Sequence, residues 1–405
     1  MPLKIWLITS IRVEPGRPLR ASSIQNLHTA AALADHGARV VVWVRRAPPR
    51  AADWFQGQLG RPMPDGMRLL AVAAAGAPGE KRSPFEPPWR GRWNRARAWL
   101  RGGGAPDAVI TRSPAILAQM RLGRLVADRA RLVLEWQYPE SMQLWRDWRR
   151  RQQEAPPMSR AADRLRRLRR LELDRLRHAD GILYAARAHE RLLERAGAGA
   201  PARLLASGCR PPDPAPDPDA EPEFDFGVVG QIAPGQGIET ILEALAGMAG
   251  ARLGLLGPGR ESALVFLRDE ARRLGVAGRV EFAGAVEPAR VRPWMARCRI
   301  GLAPVSRRQG PEKCRFASPL RLVEWQAAGV PVIGADVPSI SGLVAHGREA
   351  WLAAPDRPEA WREAMGRLLG DAGLRRSMAE AGLARAARHG YDRRAAGILE
   401  FIRSL

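Results

Sequence analysis

The stretch SPLRLVEWQAAGVPVIGAD, residues 318–336, contains the signals of a helix, its stop and a buried strand. Ser318 suits a helix cap and Pro319 suits the first helical turn, so we expect the helix to open there. Gly329 is typical of a C-terminal stop. The apolar run 330–335 then reads as a buried strand, which makes the whole stretch a helix–strand repeat of an α/β sheet.

The same alternation extends outward through the chain. Continuous apolar runs followed by helical patterns favour parallel strands that helices cover on both faces. The predicted strands are 4–10, 39–45, 107–113, 131–136 and 181–186, then 224–230, 251–257, 279–284, 300–305 and 330–335, with helices at 22–36, 238–249, 261–274 and 358–369. Because the pattern occurs twice, we predict the α/β class with two Rossmann-like, doubly wound domains that face each other across a cleft.

A Pro- and Asp-rich stretch separates the two series of strands. It covers residues 210–225, and its proline stiffness and acidic charge are typical of a linker. We therefore predict a first domain over 1–209 and a second over 226–385. Residues 386–405 are expected to form a C-terminal helix that can cross back to the first domain.

The composition is that of a globular chain. Among 405 residues, 46% are hydrophobic and 26% are charged, and no run reaches the roughly 18 apolar residues of a membrane-spanning helix. The N-terminus lacks a signal-peptide cleavage pattern, so a cytoplasmic location is expected. Three widely separated cysteines are expected to be buried, reduced thiols, with no metal and no cofactor.

The positive charge is concentrated in the first half. Residues 1–215 carry 39 Lys and Arg against 19 Asp and Glu, a net +20, whereas residues 216–405 carry 26 against 23, a net +3. Residues 76–106 are basic and Trp-bearing. Residues 142–177 predict a basic amphipathic helix with eight arginines from Arg160 to Arg177, preceded by a lead-in that contains Trp145 and Trp148. This helix is a solvated surface element, a contact to an anionic membrane at the inner face, or less readily a nucleic-acid contact.

The chemistry of 318–336 points to a phosphate ligand. A helix N-terminus presents free N–H groups and the positive end of its dipole. Arg321 in the first turn can add charge-assisted hydrogen bonds to a diphosphate. Glu324, one turn further, can accept hydrogen bonds from vicinal hydroxyls, as carboxylates do with ribose. The alternative for Glu324 is an ordinary surface glutamate.

These segments resemble the GT-B glycosyltransferases of the group 1, or family 4, class. The similarity to the nucleotide-sugar-binding half runs through 227–245, 253–259, 279–305, 318–336 and 346–371, and segments 28–43 and 204–209 are similar to the acceptor half. The resemblance implies a UDP- or GDP-sugar donor, transfer to an acceptor held by the first domain, no metal, and in most relatives retention of anomeric configuration.

The family's donor-site residues carry over in part. Glu324 matches the glutamate expected on the ribose, and Arg321 matches a basic position near the diphosphate. The remaining expected donor contacts are Ser318, Pro319, Gly230, Gln231, Gln236, Gly237 and Gly257. Departures stand at Gln231 and Gln236, where the family has arginine and lysine, at Phe316, where it has glutamate, and at Gln137, where many relatives have histidine.

Further candidates lie at predicted strand ends. Arg20, Ser22 and Arg112 are expected on the acceptor side, and Arg321, Glu135 and Arg112 are the candidate catalytic residues. The basic stretch 306–315 is either a solvated loop or a clamp on donor phosphate.

We expect a hexosyltransferase-like glycosyltransferase of bacterial surface polysaccharide or glycolipid synthesis, acting on a glycan or lipid-linked acceptor. The alternatives are a catalytically degenerate relative that binds sugars or acts as a scaffold at the membrane, and a GT-B epimerase or hydrolase.

Overall fold

The structure is a computed structural model that describes residues 1–9, 11, 19, 21–44, 48, 50–71, 105–122, 129–137, 139–150, 158–210 and 221–405. The chain divides into two compact units. Unit 1 comprises Met1–Tyr184, Leu192–Leu205 and Ala395–Leu405; unit 2 comprises Ala185–Arg191 and Ala206–Arg394.

The described residues of unit 1 form a parallel sheet of seven strands in the order β3-β2-β1-β4-β5-β6-β7. Its elements are β1 (Lys4–Ile8), α1 (Ala21–Asp35), β2 (Arg39–Val44), α2 (Ala51–Leu59), β3 (Met67–Ala71), β4 (Ala108–Thr111), α3 (Pro114–Leu122), β5 (Arg131–Trp136), α4 (Glu140–Arg150), α5 (Met158–Leu176), β6 (Gly181–Tyr184) and β7 (Ala202–Leu204). The central strands β1, β4 and β5 are buried along almost their whole length, which explains their uninterrupted apolar runs.

Unit 2 is a second parallel sheet, of six strands in the order β10-β9-β8-β11-β12-β13. Its elements are β8 (Phe224–Val229), α7 (Ile238–Ala246), β9 (Leu253–Leu256), α8 (Glu261–Arg273), β10 (Val280–Gly284), α9 (Pro288–Met295), β11 (Cys298–Ala303), α10 (Pro311–Phe316), α11 (Leu320–Ala327), β12 (Val332–Ala335), α12 (Pro338–Ser341), β13 (Trp351–Ala353), α13 (Pro358–Gly370) and α14 (Ala372–Ala387). Two helices, α6 (Glu190–Ala196) and α15 (Tyr391–Ser404), begin in unit 2 and have most of their residues in unit 1. The predicted fold class, α/β with two Rossmann-like sheets, is confirmed.

Two glycines allow α11 to approach the sheet of unit 2. Trp325 is fully buried, and its ring lies against Gly227 in β8 and Gly301 in β11. A Cβ atom at Gly301 would lie 2.2 Å from Cδ2 of this ring, so a larger residue does not fit without a shift of the helix. This packing sets the depth of α11 on the sheet and thereby the positions of Arg321 and Glu324.

In the described part of segment 142–177 there are two helices, whereas the sequence predicted one amphipathic helix with a Trp-containing lead-in. They are α4 and α5, and both α3 and α4 pack against α5. The buried carboxylate of Glu172 on α5 explains the arrangement, since it accepts hydrogen bonds from the first turn of α4, namely Glu140 N at 2.6 Å and Ser141 N at 3.1 Å. Glu172 thus stabilises the start of a separate helix.

The leucines of α5 fit the predicted amphipathic pattern. Leu168 and Leu176 are buried, Leu173 packs on the same core, and Leu171 is exposed. No helix in the described ranges is long and apolar enough to cross a membrane. Candidate residues outside the described ranges are Arg20, most of 76–106 and linker residues 211–220.

Candidate functional site

The order of strands in unit 2 predicts a ligand-binding edge between β8 and β11. The sheet runs outward from this pair in opposite directions, so the loops that follow the two strands diverge and leave a crevice at their carboxyl ends. The predicted donor-site residues Gly230, Gln231, Gln236 and Gly237 occupy the loop after β8. Pro304 follows β11 and lies against Gly237, since a Cβ atom there would be 3.0 Å from its Cβ.

Gly257 allows the loop after β9 to approach the loop after β8, residues 230–237, which is named the glycine turn. Its φ is +143°, and a Cβ atom would lie 1.8 Å from the carbonyl oxygen of Gly230. Hydrogen bonds join the two loops, from Gly230 N to Leu256 O at 2.9 Å and from Ile232 N to Pro258 O at 2.9 Å. Gly230 itself has a φ of +109°. The family-like glycines therefore serve close backbone packing, which fixes the shape of the turn.

Arg321 reaches from the first turn of α11 to the loop after β8. Its Nη2 atom donates to the carbonyl oxygen of Gln231 at 2.9 Å and to Oε1 of Gln236 at 3.0 Å, and Nη1 donates to Pro304 O at 3.4 Å. A Cβ atom at Gly230 would lie 2.9 Å from Nε of Arg321. The guanidinium is thus held against the glycine turn by contacts from two loops.

The charge of Arg321 persists at neutral pH. Desolvation lowers the pKa of its guanidinium to about 10, and the neighbouring Glu324 opposes this change. The helix α7 begins beside it, after Gly237, without a side-chain cap. One cation and one helix N-terminus therefore face the same turn, an arrangement suited to anionic oxygens.

Glu324 lies among three arginines. Its side chain is accessible to solvent but surrounded by protein atoms, and desolvation raises the pKa of its carboxyl. The charges of Arg210, Arg321 and Arg292 oppose that rise. Sequence reasoning missed Arg210 and Arg292, which lie in the linker and in α9; Arg292 Nη2 donates to Arg210 O at 3.2 Å. Nothing in their local sequence marks them, because only the fold brings them to the glutamate.

The predicted helix start at Ser318 is wrong. The helix begins at Leu320, with Pro319 at the cap position, and no side chain caps it. The hydroxyl of Ser318 instead donates to Ser207 Oγ at 2.5 Å. Ser207 is buried, so pairing the two hydroxyls satisfies a group that would otherwise lose its hydrogen bond to water.

Phe316 occupies the position of the family's glutamate as a packing residue. Its side chain is buried, and its ring lies edge-on to that of His189 with the centroids 5.0 Å apart. His189 is fully buried. A carboxylate at 316 would lose this aromatic contact, so the departure is built into the local core.

The basic stretch 306–315 forms a structured loop and the short helix α10. The hydroxyl of Ser306 accepts from Arg308 N at 3.0 Å, and Asp356 accepts from Arg307 N at 2.8 Å. The Arg307, Arg308 and Arg315 side chains are exposed. Both predictions for this stretch, a solvated loop or a phosphate clamp, stay open.

In unit 1, two candidate catalytic residues form an ion pair. Arg112 follows β4 and Glu135 lies near the end of β5, and Nη2 of Arg112 is 2.8 Å from Oε1 of Glu135. Arg112 also donates to the carbonyl oxygen of Ser22 at 3.3 Å. Gln137 Nε2 donates to Glu135 Oε1 at 3.3 Å. The fold thus brings Ser22, Arg112, Glu135 and Gln137 together at one carboxyl edge, next to the reversal of strand order between β1 and β4.

The three cysteines of the chain are free and buried, as predicted. Across the described residues, no group of three or more His, Cys, Asp or Glu side chains is placed to hold a metal ion.

A family model covers most of unit 2. Residues 223–371 match the model described as "Glycosyl transferases group 1". This part of the chain is therefore similar to that family, which confirms the resemblance drawn from residues 318–336 and their surroundings.

Curated proteins are similar in sequence to part of the chain. A D-inositol 3-phosphate glycosyltransferase from Jonesia denitrificans is 33% identical over 167 residues, 39% of this chain and 38% of that protein. The match spans two fifths or less of the curated relatives' own lengths.

Solved structures agree with the fold over the whole chain. Sucrose-phosphate synthase from Thermosynechococcus elongatus has a TM-score of 0.74 at 18% identity, covering 99% of this chain and 98% of that one. The Anabaena protein HepE in complex with UDP-glucose has a TM-score of 0.69 at 16% identity, covering 100% of both chains. At these identities the likeness establishes the GT-B fold.

Proposed function

We propose that this protein is a glycosyltransferase that moves a sugar from a nucleotide-diphosphate sugar to a glycan or lipid-linked acceptor. The observation that carries the proposal is the assembly at the β8–β11 crevice, where Arg321 lies over the glycine turn and Glu324 follows one helical turn later. The group 1 match of residues 223–371 supports it. HepE, which has a similar fold, is known in complex with UDP-glucose, and this favours a UDP-linked donor.

The roles proposed for these residues are to bind the donor and to stabilise negative charge. During transfer the bond between the sugar and the diphosphate breaks, a new bond forms between the sugar and an acceptor hydroxyl oxygen, and the proton of that hydroxyl is released to solvent. Arg321 and the N–H groups at the start of α7 would stabilise the negative charge of the leaving diphosphate. Glu324 would accept hydrogen bonds from the ribose hydroxyls. Retention of configuration belongs to the proposal as the common outcome in the family.

The acceptor belongs, in this proposal, to unit 1. Arg112, Glu135 and Gln137 together present amide and guanidinium N–H donors and a carboxylate at one sheet edge. Because the ion pair between Arg112 and Glu135 cancels their charges, this set suits hydroxyl groups of a sugar better than a strongly charged group.

A thermal-shift screen with nucleoside diphosphates and nucleotide sugars tests the donor site. A ligand present at about 100 times its dissociation constant stabilises the folded state by about 2.7 kcal/mol. We expect one base to raise the Tm of the wild-type protein and this rise to be smaller in Glu324→Ala. The exposed Glu363 on α13 provides the matched control, since Glu363→Ala removes the same charge away from the crevice.

The same screen separates the proposal from its main alternative, a degenerate relative that binds glycans or acts as a scaffold. The neutral Gln231 and Gln236 and the apolar Phe316 favour that alternative. A flat response to every nucleotide would support it, whereas sugar transfer to any acceptor would exclude it. Release of free sugar or nucleotide without an acceptor would instead indicate a hydrolase.

We also propose that unit 1 holds the enzyme at the cytoplasmic face of an anionic membrane. Helices α3, α4 and α5 pack together, and each exposes one leucine, namely Leu122, Leu144 and Leu171. The arginines Arg160, Arg167 and Arg170 lie on the exposed side of α5. Exposed leucines beside arginines suit the interface between lipid tails and anionic headgroups.

A further inference from the structure

Gln236 stands where the resemblance leads us to expect a lysine, yet its side chain makes a defined contact. Its Oε1 accepts a hydrogen bond from Nη2 of Arg321 at 3.0 Å, across 85 positions of sequence. The residue is partly buried in the turn between Gly235 and Gly237. The backbone is constrained on both sides, because these glycines have φ values of +75° and +91°.

The surroundings of Arg321 explain why a neutral acceptor fits at this position. A lysine at 236 would bring an ammonium group close to the guanidinium, in a place where desolvation already disfavours its charge. The amide oxygen of glutamine instead accepts an N–H of Arg321 and adds no charge. The contacts to Gln231 O, Gln236 Oε1 and Pro304 O use three of the five guanidinium N–H groups. In the described part of unit 2, two N–H groups are then left for a ligand.

We propose that Gln236 is a positioning residue that holds the guanidinium of Arg321 over the glycine turn, so that α11 supplies the cation that the turn itself lacks. On this basis Gln236 and Arg321 form a matched pair. The glutamine at 236 then changes which residue supplies the positive charge that binds the diphosphate, and the donor site itself is retained. The inference rests on the proposed donor site of unit 2, but it requires only that the site binds a diphosphate group.

A double-mutant cycle with inorganic pyrophosphate as the probe tests this pair. Affinities are measured by calorimetry for the wild-type protein, Gln236→Met, Arg321→Met and the double variant. We expect Gln236→Met to weaken binding about tenfold when Arg321 is present and to change it less than about twofold in the Arg321→Met background. Such coupling is specific to action through Arg321, because general damage to the turn would weaken binding in both backgrounds.

Gln231 provides the matched control, since Arg321 contacts its backbone carbonyl and not its side chain. Whatever Gln231→Met does to affinity, we expect the same effect with and without Arg321. If Gln236→Met does not fold, Gln236→Asn replaces it, because the shorter amide withdraws the acceptor while it keeps the polar group. Thermal unfolding of each variant verifies folding.

The outcomes separate this inference from the proposed function. Equal losses in both backgrounds, no loss at all, or no pyrophosphate binding by the wild-type protein would each overturn the role of Gln236. Coupling without sugar transfer would support the pair and count against the glycosyltransferase. Sugar transfer without coupling between the two substitutions would support the proposed glycosyltransferase and overturn the role of Gln236.

Discussion

At the scale of single residues, Glu324, which is proposed to bind ribose, carries a cost to the stability of the folded protein. Desolvation raises the pKa of its carboxyl even though Arg210, Arg321 and Arg292 oppose the rise. A carboxylate with a raised pKa is less favourable in the folded protein than in the unfolded chain. Residues at binding sites often carry such a cost, because their charge is matched to a ligand.

We therefore expect Glu324→Gln to raise the Tm near neutral pH. The folded state binds the carboxyl proton more tightly than the unfolded chain does, so the wild-type protein loses stability as pH rises above the ordinary value of 4.5 and through the raised pKa. Below that ordinary value the two proteins should unfold alike. Scanning calorimetry across this range, with Glu363→Gln as the control, measures the difference. A variant that is less stable at neutral pH would show that the three arginines outweigh desolvation.

At the scale of elements, the helices of unit 1 carry much of the chain's positive charge. The pairs Arg166–Asp163 and Arg177–Asp174 lie along the exposed side of α5, with Arg177 directly after its last residue, and partly neutralise this side. Arg160, Arg167 and Arg170 lie on the same side at helical spacing. These three arginines are therefore the ones that best test the membrane proposal.

Replacing Arg160, Arg167 and Arg170 by glutamine should weaken binding to vesicles that contain anionic lipid. Each arginine near such a surface contributes about 1 kcal/mol, so the triple variant should bind about a hundredfold more weakly at low salt. Vesicle co-sedimentation with and without added salt measures this. The control replaces Arg367, Arg376 and Arg388, which are exposed in unit 2 and carry the same total charge. Equal weakening in both triple variants would rule out a dedicated surface on α5.

At the scale of the whole molecule, the chain returns to its first unit at the end. Helix α15 starts in unit 2, and Ala395–Leu405 belongs to unit 1. There Phe401 and Leu405 lie against Gly181, where a Cβ atom would be 2.7 Å from the Phe401 ring. Arg203 donates to the carbonyl oxygen of Gly397 at 3.1 Å. The last turns of the chain thus complete the core beside β6 and β7.

Phe401→Ala should destabilise unit 1 by about 3–5 kcal/mol, because it removes a buried aromatic side chain. Hydrogen–deuterium exchange of the full chain should show faster exchange in β6 and β7, with β8 and β11 unchanged. The neighbouring Glu400→Ala is the control, since its ion pair with Arg203 is exposed to solvent and contributes little to stability. Slow exchange throughout unit 1 in Phe401→Ala would contradict this role for the helix.

The strands predicted from the sequence all exist, and the strands that were missed share a physical cause. All ten predicted runs contain a strand. The missed strands β3, β7 and β13 lie at sheet edges, and β7 and β13 have only three residues each. An edge strand has one strand neighbour and less burial, so its sequence lacks the continuous apolar run of a central strand.

The sequence by itself determined the two α/β halves, the glycine turns and the presence of helix α11, because buried parallel strands and left-handed turns impose local patterns that can be read directly. The tertiary structure decided which polar side chains contact each other. It paired Ser318 with Ser207, Arg321 with Gln236, and Arg112 with Glu135, and it brought Arg210 and Arg292 near Glu324. These contacts join residues from different elements, and no periodicity along the chain encodes which polar groups meet when apolar faces are buried.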